Sequence, residues 1–125
     1  MGLNTNPQVL DVGTQEMGKH VVVTVEGELD AYSGPKLRQL LIEQSQAGHH
    51  TLILDLSALS FTDSSGIGIF VGAFKRAQAR GGAVCLLSPS DHLEKLLRMT
   101  GLSRVFPIFS YLQDAIDLLD TLQPR

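Results

Sequence analysis

Tryptophan is absent, cysteine occurs once, and aromatic residues make up only 6% of the 125 positions. With one cysteine, no disulfide framework can form within a single chain. That residue stands in the apolar run Ala83-Val84-Cys85-Leu86-Leu87, where a thiol serves as a small buried hydrophobe. A catalytic thiol needs an exposed site and a histidine partner, and its neighbours offer neither. The lack of aromatics removes the stacking platforms of single-stranded nucleic acid binders. A net charge of −3 leaves no basic footprint for a duplex. No apolar run reaches the ~18 residues of a membrane span. Met1 to Gln8 is polar, without the apolar segment of a secretory signal, so the expected location is the cytoplasm.

The remaining composition is globular. Hydrophobic residues are 43% and charged residues 18%, too apolar for a disordered chain. The length fits one domain, large enough to bury a core without covalent staples. Residues 1–8 are expected to be a flexible leader and 9–122 the domain.

Val9 to Val12 reads as a weak strand ended by a turn at Gly13. Val21-Val22-Val23-Thr24-Val25 is β-branched throughout and reads as a second strand, closed by Gly27-Glu28-Leu29-Asp30. Ser33 offers a cap and Pro35 a first turn for a helix carrying Leu37, Leu40 and Leu41, which Gly48 ends. Thr51 to Leu56 is a nearly continuous apolar strand, as in a sheet covered on both faces. A helix is expected over Asp63 to Arg80 and a strand over Ala83 to Leu87. Asp91 with Glu94, and Ser110 with Gln113, have the spacing of capping boxes. Gly101 stops the first of these helices. Val105 to Phe109 reads as a short edge strand, because it contains Pro107. The last helix carries Leu112, Ala115, Ile116, Leu119 and Leu122. Strands alternating with helices imply parallel crossovers. The expected fold is a single α/β domain with a mixed sheet of about five strands and about four helices.

The helix after Asp63 is the most informative element. At about 100° per residue, Ile67, Phe70, Val71 and Phe74 fall on one buried stripe. Ser65, Gly68, Ile69, Gly72 and Arg76 fall on the opposite face, expected to be exposed. Glycine inside a helix costs about 1 kcal/mol relative to alanine, yet Gly66, Gly68 and Gly72 all lie here. Either the helix packs closely against its neighbours, or it forms a shallow groove for another protein's backbone, with Ile69 as an apolar centre. Asp63 is the natural cap, placing Ser64 and Ser65 in the first turn. The three residues Asp63-Ser64-Ser65 could be capping chemistry alone. A helix N-terminus also stabilises a phosphate, which adds about −1.5 to −2 charge. A modified Ser64 would therefore alter a docking face without melting the domain.

Enzymatic readings fare worse. Gly66, Gly68 and Gly72 spell GxGxxxG, but a dinucleotide site needs its glycines in the strand-to-helix turn. Ser64 lacks the GxSxG frame of a hydrolase. His20, His49, His50 and His92 read as surface turn residues, with no acidic or cysteine cluster to complete a metal site. No cofactor and no catalytic residue is expected.

The segments Leu52-Ile53-Leu54-Asp55-Leu56, Phe61-Thr62-Asp63-Ser64-Ser65-Gly66-Ile67-Gly68 and Phe74-Lys75-Arg76 resemble bacterial anti-anti-sigma factors, the small stand-alone branch of the STAS domains. Gly27-Glu28-Leu29-Asp30 and Met99-Thr100-Gly101-Leu102 also resemble that pattern, and the likeness runs from about Val21 to Leu119. It implies an anti-sigma factor antagonist rather than an enzyme. The unmodified form would bind an anti-sigma factor serine kinase of the histidine-kinase-like ATPase type and free a sigma factor, as in stress or sporulation programmes. Phosphorylation of Ser64 would end that binding, and a PP2C-type serine phosphatase would restore it. Ser65 takes the next position of the motif, and Asp30 falls where relatives contact the kinase near its nucleotide. Asp63 would order the loop. The partner-binding set is thus Asp30, Asp63, Ser64, Ser65, Gly66, Gly68, Ile69, Gly72 and Arg76. The alternatives are a STAS scaffold subunit of a stress-signalling or transport complex, or a nucleotide-binding module.

Overall fold

In the computed structural model, which describes residues 10–122, Asp11–Met17 (β1) folds back on His20–Leu29 (β2) as an antiparallel hairpin. The turn is at Gly18, with φ 64°, a backbone conformation that glycine tolerates without strain. Gly13, expected to be a turn, instead pairs with Thr24 inside β1. A lone glycine does not stop a strand whose partner supplies the ladder. Val9 and the expected leader, residues 1–8, lie outside the described residues.

The chain continues through Gly34–Gln46 (α1), Thr51–Asp55 (β3), Leu59–Thr62 (β4), Ser64–Gln78 (α2), Ala83–Leu87 (β5), Asp91–Met99 (α3), Ile108–Phe109 (β6) and Leu112–Asp120 (α4). The sheet order is β1-β2-β3-β5-β6, and every pair after the first hairpin is parallel. β4 is the strand missed by the sequence reading, making six strands rather than about five. Leu59 and Thr62 are buried while Ser60 and Phe61 are exposed, so the segment shows no alternation. It pairs with the far end of β2, across a register shift between Gly27 and Glu28. The ten residues of β2 are thus shared: Val21 to Thr24 face β3, and Gly27 to Leu29 face β4.

Side chains alternate across the sheet. Val21, Val23, Leu52, Leu54 and Leu86 pack under α1, α2 and α3. Val22, Ile53 and Cys85 pack under α4 with Ala115 and Leu119. Burial pushes the Cys85 thiol up to about 11, so it stays protonated and inert at neutral pH.

Several local expectations shift by a residue. The cap of α3 is Ser90, whose Oγ accepts from the Leu93 N–H at 3.1 Å; Asp91 sits in the first turn. The N-cap position of α4 is Tyr111, not Ser110, and no side chain caps the helix. Only Ile108–Phe109 of the expected last strand pairs, because Leu102–Arg104 closes into a 3-10 turn that Val105 caps. That strand lies at the sheet edge, as Pro107 implies. His20 is no surface turn residue. It is buried at the start of β2, with Nδ1 2.7 Å from Thr51 Oγ1 and Nε2 2.6 Å from Asp120 Oδ1. A polar ring is tolerated there because both nitrogens have partners.

Candidate functional site at the start of α2

β2 and β4 run parallel and end in register, with Leu29 opposite Thr62. The next residues, Asp30 and Asp63, therefore leave the sheet side by side at the carboxyl ends of their strands, where open α/β sheets place their sites. The Asp63 N–H still reaches the Leu29 carbonyl at 3.4 Å.

Each aspartate then organises the segment that follows it. Asp63 has extended backbone, and its Oδ1 accepts from the N–H groups of Ser65 at 2.9 Å and Gly66 at 3.4 Å. It is the N-cap read from the sequence, and satisfies two donors that the helix leaves open. Asp30 Oδ1 accepts from the Tyr32 and Ser33 N–H groups, both at 2.9 Å. Ser33 does not cap α1 with its side chain. Its hydroxyl donates to the Glu28 carbonyl at 2.8 Å and accepts from the Asp30 N–H at 3.0 Å. The Ser33 N–H, with the other donors around it, holds the Asp30 carboxyl below its usual range.

Ser64 is the first residue of α2 and is exposed; Ser65 is half-buried. Gly66 is buried against Leu29 and Thr62. A β-carbon there would meet Thr62 Oγ1 and come within 2.7 Å of Leu29 Cδ2, so close packing accounts for this glycine. Gly68 is exposed and a β-carbon on it would meet nothing. Gly72 lies beneath Arg76, whose Nη1 is 3.4 Å from the position of a β-carbon.

The buried stripe of α2 is Gly66, Phe70, Ala73 and Ala77. Ile67, Val71 and Phe74 are half-buried flanks, rotated from the expected stripe of Ile67, Phe70, Val71 and Phe74. Small residues face the sheet because they let the helix axis approach it, and a wheel weighted by bulky side chains does not register them. The rotation also removes Ile69 from the open face. It is half-buried, and its Cδ1 fills the space above Gly34 of α1, 2.7 Å from where a β-carbon would stand. Arg76 is half-buried too, with Nε and Nη2 buried and without hydrogen-bond partners.

Tyr32 and Phe61 stand outside the expected partner-binding set. Tyr32 is 91% exposed and Phe61 48% exposed, one on the loop after Asp30 and the other on β4 just before Asp63. Phe61 borders a cavity of about 160 Å³ with Thr62, His92 and Leu93. The available signal was an aromatic in a turn-like segment of a chain poor in aromatics. The site thus presents a serine hydroxyl at a capped helix start, flanked by ionised carboxylate and exposed aromatic surface. Gly68 and Gly72 lie inside α2, past the first turn, so their N–H groups serve the helix and form no phosphate loop.

The STAS domain family model matches residues 11–115. The chain is 39% identical to the anti-sigma-B factor antagonist of Listeria monocytogenes over 71% of its own length and 78% of the relative's. It is 34% identical to that of Bacillus subtilis over 79% and 90%. Among solved structures, the phosphorylated form of the Bacillus cell fate determinant SpoIIAA matches with a TM-score of 0.70 and 28% identity, covering 87% of this chain and 97% of that one.

Proposed function

The chain belongs to the STAS domain family, and from that premise we propose that it is an anti-sigma factor antagonist switched by phosphorylation of Ser64. The unmodified protein binds an anti-sigma factor serine kinase of the histidine-kinase-like ATPase type, and so releases a sigma factor. The kinase transfers a phosphoryl group from ATP to the Ser64 hydroxyl, the complex parts, and a PP2C-type phosphatase removes the group. The protein is the substrate and ligand of these enzymes and has no catalytic residues of its own. It works in the cytoplasm, in keeping with the absence, among the described residues, of any helix long and apolar enough to cross a membrane.

The observation that carries this reading is Ser64 itself: exposed, first in its helix, behind an aspartate already engaged as the cap. The names of its relatives and the phosphorylated form of a 28% identical neighbour support it. A phosphate at this place is favoured by the helix dipole. The added charge, about −1.5 to −2, falls beside Asp30 and Asp63 on the contact face and repels the partner. Asp30, Asp63, Ser64, Ser65 and Gly68 form the centre of that face, and Gly72, Arg76 and the rim of Ile69 extend it along α2. Gly66 supports it from below.

The test is incubation with the anti-sigma kinase of the source organism and ATP, read by intact mass. One phosphoryl group is expected on the natural chain and none on Ser64→Ala, which still binds the kinase. Equal uptake by both proteins would move the modified residue elsewhere and overturn the assignment.

A further inference from the structure

The guanidinium of Arg76 lies against its own helix, with two of its three nitrogens buried and unpartnered. Its side chain folds back over Gly72, four residues earlier, where the missing β-carbon leaves room for it. Nε and Nη2 are buried there without an acceptor. Burial of an unpartnered donor is costly, and more so for a charged group. The charge that bears on it is another cation, Arg38 of α1. Burial first, and Arg38 second, push the Arg76 pKa down.

No carboxylate of the neighbouring helices relieves this. α2 contains no Asp or Glu, and α1 contains only Glu43, which accepts from the Gln39 side chain at 3.2 Å. The ion pairs His20–Asp120 and Arg98–Glu94 lie elsewhere. The opposite sheet face has the reverse composition: α4 carries Asp114, Asp117 and Asp120 and no cation. An acidic chain, net −3, thus sets half-buried Arg76 of α2 within electrostatic reach of exposed Arg38 of α1. The two helices touch closely there, Ile69 resting over Gly34.

We propose that the seam between α1 and α2, with Arg76 at its centre and Arg38 beside it, receives an acidic segment of the protein partner, whose carboxylates supply the acceptors that Arg76 lacks in the free chain. The planar guanidinium donates two parallel N–H groups to a carboxylate as a bidentate pair. This deepens the reading of α2 as part of the partner face and rests on it for the partner's identity, though not for its chemistry.

The probe is an acetylated, amidated hexaglutamate peptide titrated into the ¹⁵N-labelled full chain, with the arginine Nε–H resonances as readout. The expected result is a saturable shift of the Arg76 signal, at least fivefold weaker affinity in Arg38→Gln, and loss of the effect in 0.5 M salt. Hexalysine should shift neither signal. A single-stranded oligonucleotide that binds more tightly than hexaglutamate would overturn the proposal in favour of nucleic acid. No shift with hexaglutamate would also overturn it. Arg76→Gln should melt at or above the natural temperature, since it removes an unsatisfied group; a clear drop would make Arg76 structural and end the proposal. In the kinase complex, Arg76→Gln is expected to weaken binding about tenfold while Ser64 is still phosphorylated at saturating kinase. Kinase binding unchanged by Arg76→Gln sinks this inference and leaves the Ser64 switch standing. Hexaglutamate binding by a protein that no anti-sigma kinase engages sinks the switch and leaves the seam.

Discussion

Asp30 and Asp63 stand side by side beyond two paired strands, and each turns Oδ1 back onto the N–H groups two and three residues ahead of it: Tyr32 and Ser33 for one, Ser65 and Gly66 for the other. The same local device, repeated on neighbouring strands, builds both walls around Ser64 without help from the core.

These caps fix the response to substitution and acid. Asp63→Ala should lose about 1 kcal/mol of stability, the usual worth of a helix cap, and slow phosphorylation of Ser64 by loosening the first turn; urea unfolding and kinase assays measure the two effects. Asp30 has its pKa lowered on folding, so it binds a proton less readily folded than unfolded. Its contribution is therefore present above the unfolded value of 3.8 and is lost as pH falls through the folded value. Asp30→Asn should flatten the acid limb of the stability curve between 3.8 and the lower folded value, and leave the curve at pH 7 nearly parallel to the natural one.

Two glycines of one helix should respond in opposite directions. Gly68→Ala enters open space and should stabilise the protein by roughly 0.5–1 kcal/mol through helix propensity. Gly66→Ala would press on Leu29 and Thr62 and should cost about 1–3 kcal/mol, as overpacking does. Chemical denaturation of both variants checks the sign. If Gly68→Ala also weakens the kinase complex, its open side is contact surface.

Ser64→Asp should retain a melting temperature near the natural one, because an acidic side chain at the first position of a helix is favourable by about 0.3–1 kcal/mol. The same variant should bind the anti-sigma kinase more weakly than Ser64→Ala. Calorimetry of folding and of binding separates these outcomes, and a large fall in melting temperature would make Ser64 structural.

Tyr32 and Phe61 are exposed and should matter to partners rather than to folding. Each alanine variant is expected to change stability by no more than about 0.5 kcal/mol. Binding should weaken by about 1–2 kcal/mol if the aromatic anchors the interface. Titration against the kinase measures it, and unchanged affinity in both variants would move the anchor elsewhere on the face.

Local chemistry made much of this protein readable in advance. The β-branched run from Val21 to Val25, the apolar run from Thr51 to Leu56, the cap at Asp63 and the exposed Ser64 are consequences of residues near one another in the chain, where propensity and capping act. The parallel order of the sheet and the edge position of Pro107 also follow from short-range pattern. Four features needed the folded chain. β4 pairs because β2 runs on past the last residue paired with β3, and nothing in Leu59-Ser60-Phe61-Thr62 alternates to announce it. α2 turns Gly66, Ala73 and Ala77 inward because the sheet rewards close approach, so Ile69 packs on Gly34 instead of standing open. His20 is buried because Thr51 and Asp120, 31 and 100 residues away, satisfy its ring. Arg76 lies unpartnered because the helix beside it offers Arg38 and no free carboxylate. The chain alone decided which segments become strands and helices and which hydroxyl stands at a helix start, since those depend on neighbours a few residues away. Tertiary packing decided which faces are covered and which charges go unanswered, since those depend on residues that only folding brings together.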